Sequence, residues 1–199
     1  LKPRVHISQV SELSSLPTAE FAIPGGVFIS KGHCWLTMEE DGSVKVGIDD
    51  FAKKLLGRID DVEFPNLGMS VKAGQPLFSV RHGQRTLPFQ APVSGRVTKV
   101  NKLLSDRLEA LDVTPYGRNW ICKIDADDLD TELKGLKIGK TAVNFYQAEI
   151  DHFVESIKET GGTGNGSLGA GSGESLHVGQ LANLDDHEWN MIVGKFFRP

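Results

Sequence analysis

The sequence is poor in the residue patterns that build disulfide scaffolds and metal sites. Among its 199 residues are only two cysteines, Cys34 and Cys122. Each lies in an apolar, strand-like run, which favours buried free thiols over a disulfide or a redox pair. The six histidines are scattered, and neither a CxxC nor an HxxxH motif occurs. We therefore predict neither a disulfide framework nor a structural metal.

Long apolar runs are also missing. No stretch approaches the roughly 20 apolar residues that cross a bilayer, and the N-terminus lacks the basic-then-apolar pattern of a signal peptide. We expect a chain without a membrane span, which favours the cytoplasm. A start at Leu1 rather than at methionine is compatible with a removed targeting or anchoring segment upstream. At 39% hydrophobic and 24% charged residues, the composition suits one globular core.

Acidic residues are absent between Phe64 and Ser105, although the chain as a whole is acidic. This window carries six cations, and the rest of the chain has a formal charge of −10. The cations are Lys72, Arg81, Arg85, Arg96, Lys99 and Lys102. Clustered, they would attract an acidic protein surface; spread over both faces of solvated strands, they would do nothing specific. The acidic pI of about 5.9 and the lack of a recognisable nucleic-acid module argue against nucleic acid as a partner.

Hydrophobic patterning predicts a mostly β domain followed by helices. From Val27 onward, short runs of Val, Ile, Phe and Trp alternate with turn signals, which indicates a β-sandwich or barrel. One short helix, Asp49 to Leu56, is expected to interrupt the strands. After Ile124 the spacing predicts a helix with Leu129, Leu133 and Leu136 on one side, ended by Gly139. A second helix is predicted for residues 141–159.

The two ends of the chain are predicted to lie outside the main domain. Residues 1–26 form a lead-in that closes with a turn at Pro24-Gly25-Gly26, and residues 27–160 form the main domain. Residues 161–174 have the composition of a flexible Gly-rich linker. Residues 175–199 form a C-terminal helical segment with Trp189, Ile192, Val193 and Phe196 at helical spacing. This segment either docks on its own domain or captures a partner or a second copy of the chain.

Several motifs follow one another in a recognisable order between Phe28 and Ile124. They are Ile29-Ser30-Lys31-Gly32-His33-Cys34-Trp35-Leu36, Val46-Gly47-Ile48-Asp49-Asp50-Phe51-Ala52, Pro92-Val93-Ser94-Gly95 and Pro115-Tyr116-Gly117. Together they resemble the glycine cleavage system H protein family. The resemblance implies a barrel-sandwich hybrid, the fold of lipoyl and biotinyl carriers, with two or three helices appended. It also implies a lipoylated lysine at the tip of a hairpin.

The expected lipoyl position holds glutamine in this chain. In the family the modified lysine stands eight residues before the proline of Pro-Val-Ser-Gly and ten after a glycine; counted from Pro92 and from Gly74, both distances give Gln84. A carboxamide cannot attack an activated acyl group. We therefore predict no lipoate and no other cofactor. The letters of the family motif recur at Glu155-Ser156-Ile157-Lys158, but on a predicted helix rather than on a hairpin.

These observations lead to two functional hypotheses. The first is a non-enzymatic, non-lipoylated binding or scaffold module that contacts a protein partner through Arg81, His82, Gln84 and Arg85, with Arg96. The alternative is an H protein that carries the aminomethyl intermediate of glycine decarboxylation on lipoate attached elsewhere. An enzyme is disfavoured because His82, the one candidate base at the tip, has no identifiable nucleophile or carboxylate partner. Partner identity and oligomeric state do not follow from the sequence.

Overall fold

The computed structural model describes residues 4–6, 21–159, 176 and 178–198. The predicted linker 161–174 and most of the predicted lead-in lie outside the described residues. Twelve strands are assigned in the described part: β1 Arg4–His6, β2 Ala22–Pro24, β3 Phe28–Ile29, β4 Cys34–Met38, β5 Val44–Ile48, β6 Asp61–Glu63, β7 Ser70–Val71, β8 Pro76–His82, β9 Arg85–Gln90, β10 Gly95–Val100, β11 Cys122–Ala126 and β12 Lys137–Ile138. The α-helices are α1 Asp50–Leu56, α2 Ala110–Val113, α3 Leu129–Glu132, α4 Lys140–Glu159 and α5 Asp186–Ile192.

The main strands form two antiparallel sheets, as the hydrophobic patterning predicts. The larger sheet has seven strands in the order β12-β3-β4-β5-β11-β10-β7, and the smaller has three in the order β6-β8-β9. Core side chains come from both sheets, from α1 and from α4. The mostly β prediction with appended helices is confirmed. Within the described residues, the strand pairings close neither sheet into a barrel.

The helix that interrupts the strands begins where the sequence places it. The Asp49 carboxylate accepts a hydrogen bond of 2.9 Å from the backbone N–H of Ala52, which is an N-cap. Gly57, with φ of 73°, ends the helix in a conformation that L-residues rarely adopt. Phe51, Ala52 and Leu55 are buried, so α1 packs its apolar side against the core.

The first helix predicted after Ile124 is wrong in its length. α3 ends at Glu132, a 3₁₀ turn covers Leu133–Gly135, and β12 then pairs with β3. Leu136 caps that turn in an extended conformation rather than continuing the helix. The two residues after it find backbone partners on the edge of β3. The second prediction, for residues 141–159, is confirmed by α4.

The folded domain also reaches back into the predicted lead-in. Phe21 and Ile23 are both 1% exposed, and β2 pairs with β1. The backbone N–H of Ala22 donates to Asp50, and the Tyr116 hydroxyl donates to the carbonyl of Ala22. Residues 21–24 thus belong to the core although they precede the predicted boundary at residue 26. The predicted turn at Pro24-Gly25-Gly26 is present, closed by Val27 N–H to Pro24 O.

The C-terminal segment, defined here as residues 178–198, docks on its own domain. A capping box between Asp185 and Glu188 starts α5, and a π-helical turn covers Val193–Phe197. The Phe197 ring lies 5.9 Å from that of Phe89, and Phe196 lies 5.6 Å from Phe153. Of the two readings left open by the sequence, the intramolecular one is the arrangement seen.

A close contact inside the larger sheet makes one glycine necessary. A Cβ placed on Gly47 would lie 2.6 Å from Nε1 of Trp35, a fully buried ring held by a 2.9 Å hydrogen bond to Pro115 O. We expect Gly47→Ala to lower the free energy of unfolding by about 1–3 kcal/mol through overpacking. Gly135→Ala is the matched control, since a Cβ there meets nothing within 4 Å. Equal urea midpoints for the two variants would contradict this reading of the contact.

Candidate functional site

The site that the sequence singles out is the tip of the β8–β9 hairpin. In the backbone register of the hairpin, His82 of β8 is opposite Arg85 of β9, so the turn consists of Gly83 and Gln84. Of these two residues only Gly83 has a positive φ, 58°, which is the pattern of a type II′ turn. Gln84 is exposed, and its carboxamide has no hydrogen-bond partner within the described part of the chain. The turn therefore presents a free amide group to solvent.

One flank of the tip is held by the loop before β6. The backbone N–H of Gly83 donates to the Asp60 carboxylate at 2.8 Å, and that of Asp60 donates to Arg81 O at 2.8 Å. The hydrogen bond from Gly83 is the main reason that the pKa of Asp60 lies below its usual value. His82 Nδ1 lies 2.5 Å from Arg58 O. Because a carbonyl can only accept, this nitrogen carries the proton.

The other flank is held by the C-terminal segment through Arg85. Its guanidinium lies 5.0 Å from the centroid of the Trp189 ring and pairs with Asp186 at 3.2 Å. It also donates to Leu181 O at 3.4 Å. The Arg85 side chain is only 23% exposed. Arg85 is thus a packing and bridging residue more than a free surface cation.

The cations of the acid-free window do not form a single-signed surface. Arg81 pairs with Asp61 at 3.6 Å, and Lys72 pairs with Asp127 at 3.0 Å. With the Arg85–Asp186 pair, three of the six cations face acids from other parts of the chain. The positive field considered from the sequence is therefore offset at the tip, because folding brings distant carboxylates to it.

Arg96 does not join the other predicted partner-binding residues. It lies on β10 of the larger sheet, where its backbone is opposite Ser70 of β7 and Asp125 of β11. It lines a shallow depression with Lys72 and Asp127. β9 carries the chain roughly 17 Å away from the tip before β10 begins. The structure thus brings Arg81, His82, Gln84 and Arg85 together and leaves Arg96 beyond the other end of the hairpin.

The second copy of the family motif lies on a helix, as expected. Ser156 is 1% exposed; its hydroxyl donates to His152 O and accepts from Lys195 Nζ, both at 2.6 Å. Lys158 is exposed on the last turn of α4. Lys158 therefore lies on a helix and not on a tight hairpin turn, where the family resemblance places the modified lysine.

A buried histidine cluster was missed by the sequence analysis. His33, with no exposed surface, places Nδ1 2.8 Å from Asp49 Oδ2 and Nε2 3.3 Å from Glu149 Oε2. Its ring stacks on Phe51 at 4.3 Å. Burial alone would lower the pKa of His33, but the charges and hydrogen bonds of Asp49 and Glu149 outweigh it and raise the pKa to about 9. No local pattern signals this cluster, because Glu149 is 116 residues away.

The cluster is suited to holding elements together rather than to proton transfer. Both ring nitrogens already contact carboxylates, so neither is open to a substrate. His33 also has φ of 63°, in the left-handed region. It joins the β3–β4 turn to α1 and α4.

The described residues contain no sign of a disulfide, a metal site or a membrane span. Both cysteines are free and buried, as predicted, and burial raises the pKa of Cys122 to about 12. No group of three or more His, Cys, Asp or Glu side chains in the described ranges could hold a metal ion. Of the helices in these ranges, none combines the length and the apolar composition that crossing a bilayer requires.

Comparison with known proteins agrees with this architecture. A family model described as "Glycine cleavage H-protein" matches residues 27–149. A probable glycine cleavage system H protein from Pyrococcus abyssi is 39% identical over 133 residues, which are 67% of this chain and 98% of that protein. The glycine cleavage system H protein of Escherichia coli O7:K1 is 39% identical over 114 residues, 57% of this chain and 88% of that protein.

A solved structure shows the same likeness in three dimensions. The crystal structure of a glycine cleavage system H protein from Mycobacterium marinum superposes with a TM-score of 0.53 at 26% identity, covering 64% of this chain and 98% of that one. The order of the motifs, the two antiparallel sheets and the hairpin all fall within the matched region. This chain therefore belongs to the glycine cleavage H-protein family.

Proposed function

We propose that the chain is a non-enzymatic docking module of the H-protein family, with no lipoyl arm at its hairpin tip. The observation that carries the proposal is the exposed turn Gly83-Gln84, which offers a carboxamide where the family resemblance places a lysine. The module would contact a protein partner through Arg81, His82 and Gln84. Nothing about this surface requires a cofactor.

The chemistry of the tip supports the absence of lipoate there. A lipoyl amide forms only when an amine attacks an activated lipoyl carbonyl, and the nitrogen of an amide is not nucleophilic. The nearest lysines in sequence lie away from the turn. Lys72 is in an ion pair with Asp127, and Lys99 is on β10 in the other sheet. The residues of the tip therefore do not fit covalent lipoate.

The same geometry indicates how a partner would be recognised. The charges of Arg81 and Arg85 are matched by Asp61 and Asp186, so the tip has little net charge to steer a partner over distance. The free carboxamide of Gln84 offers an acceptor oxygen and two N–H donors at an exposed position of the turn. We propose a protein partner that contacts the tip mainly through hydrogen bonds. A partner with an acidic surface, which the sequence suggested, fits this tip less well.

The names of the relatives favour a second candidate function. Several are described as glycine cleavage system H proteins or as probable ones, at 38–40% identity. A working carrier of this kind would hold lipoate on a lysine other than residue 84. Lys158 is the candidate by motif, although its place on α4 does not resemble a hairpin tip.

Intact mass separates the two candidates. The chain is expressed in a lipoylating host with added lipoate, next to a glycine cleavage system H protein as a positive control. We expect the control to gain the mass of a lipoyl group and this chain to keep its unmodified mass, since its tip offers no amine. A lipoyl adduct on this chain, located by peptide mapping, would reject the docking proposal and support the carrier.

A further inference from the structure

The C-terminal segment lies beyond the part of the chain that matches the family. The family match ends at Glu149, and the Pyrococcus relative is covered over 98% of its length by 133 residues of this chain. Yet in the structure this additional segment reaches the hairpin tip. The contact is made at Arg85, directly beside Gln84.

Three contacts converge on Arg85 from within nine residues of the segment. Leu181 gives a carbonyl, Asp186 a carboxylate and Trp189 an aromatic face. Leu181 has no exposed surface and Trp189 is 9% exposed, whereas the Asp186 side chain is 97% exposed. The segment is therefore anchored by apolar burial and turns its polar groups toward the hairpin.

The opposite flank of the tip is restrained independently. The Gly83 N–H bond to Asp60 and the His82 bond to Arg58 O fix the turn from the side of β6. With the Arg85 contacts, residues 82, 83 and 85 are all tied to other elements. Gln84, between them, is exposed and has no partner among the described residues.

We infer that the C-terminal segment is a brace that fixes the direction of the hairpin tip, and that Arg85 is the positioning residue through which it acts. The inference rests on the proposed function, because a fixed tip matters only if residue 84 meets a partner. Within the described residues β9 is paired on one side only, with β8, so no strand holds the Arg85 side of the turn; segments with few buried contacts open at low free-energy cost. Holding the turn before binding reduces the conformational entropy that a partner would otherwise have to remove.

The experiment measures backbone order at the tip in the full chain. Arg85→Gln removes the cation from Trp189 and Asp186. We expect the amide order parameter of Gln84 to fall from about 0.85, typical of rigid backbone, to about 0.6. That of Gly83 should fall less, because its N–H stays bonded to Asp60. Asp186→Asn, which removes only an exposed charge, should give a smaller fall in the same direction. Arg85→Lys keeps the charge and should restore part of the order.

Lys123→Gln is the matched control. Lys123 also combines an aromatic ring and a carboxylate, 5.7 Å from the Trp120 centroid and 2.6 Å from Glu39, but in β11 of the larger sheet. It should leave the order of Gly83 and Gln84 unchanged. Unchanged tip order in both Arg85→Gln and Asp186→Asn would overturn the brace. This result is independent of the intact mass that tests the proposed function, so the two can fail separately.

Discussion

Replacing Gln84 by lysine is expected to turn the hairpin tip into a site of lipoate attachment. The turn is already built, with Gly83 in the left-handed region and residue 84 exposed. The group that amide formation needs and that the tip lacks is an amine. Incubation of Gln84→Lys with a lipoate–protein ligase, lipoate and ATP should activate lipoate as lipoyl-AMP with release of pyrophosphate. Attack by the lysine ε-nitrogen on the lipoyl carbonyl then forms the amide, with AMP leaving. The wild-type chain should stay unmodified.

Thr86→Lys supplies the matched control for this gain. Thr86 is exposed on β9, two residues beyond the turn, so a lysine there has the same chemistry in a different setting. Quantitative modification of Gln84→Lys with little on Thr86→Lys would show that the turn presents residue 84 as a carrier hairpin presents its lysine. A folded Gln84→Lys that remains unmodified would mean that the tip differs from a carrier tip in more than one residue.

Loss of the buried His33 is expected to give the largest change in stability. His33→Asn removes the cation that lies between Asp49 and Glu149, while asparagine tolerates the left-handed backbone at this position. Two buried or partly buried carboxylates are then left without their partner. We expect the free energy of unfolding to fall by roughly 3–5 kcal/mol near neutral pH. His152→Asn is the control, because His152 is 58% exposed and lies 4.0 Å from the same Glu149.

The pH dependence of this difference has a definite sign. The pKa of His33 rises from 6.5 in a model peptide to about 9 in the folded protein, so the folded state binds the proton more tightly. The resulting stabilisation is fully present below pH 6.5, where both states are protonated, and is lost as the pH rises through about 9. A shift of this size corresponds to about 3 kcal/mol. Urea unfolding from pH 6 to 10 should show wild type and His33→Asn converging; a constant gap would refute the proton-binding account.

Local signals carried the sequence predictions that the structure confirms. Eight consecutive residues contain the whole signal for α1, which forms there. They begin with the N-cap Asp49 and include Phe51, Ala52 and Leu55 at helical spacing. The mostly β class follows from alternation and turn residues, each visible within a single strand.

The features that sequence reasoning missed depend on distant parts of the chain. Asp186 reaches Arg85 across 101 positions, so the carboxylate that offsets this cation lies far outside the acid-free window. β12 forms because β3 presents an open edge, a fact about pairing and not about Leu136. Arg96 was grouped with the hairpin by its charge, and only strand order shows that it belongs to the other sheet.

The position of β9 at the edge of the smaller sheet has a consequence for solubility. Edge strands expose unpaired backbone groups on which strands of other molecules can add. Here Pro88 removes one donor from β9, and the π-helical turn of the C-terminal segment contacts the same strand. Detachment of that turn would uncover the Phe89 ring next to the edge strand. Damage to the C-terminal segment should therefore first become visible as self-association, while the strands themselves are still intact.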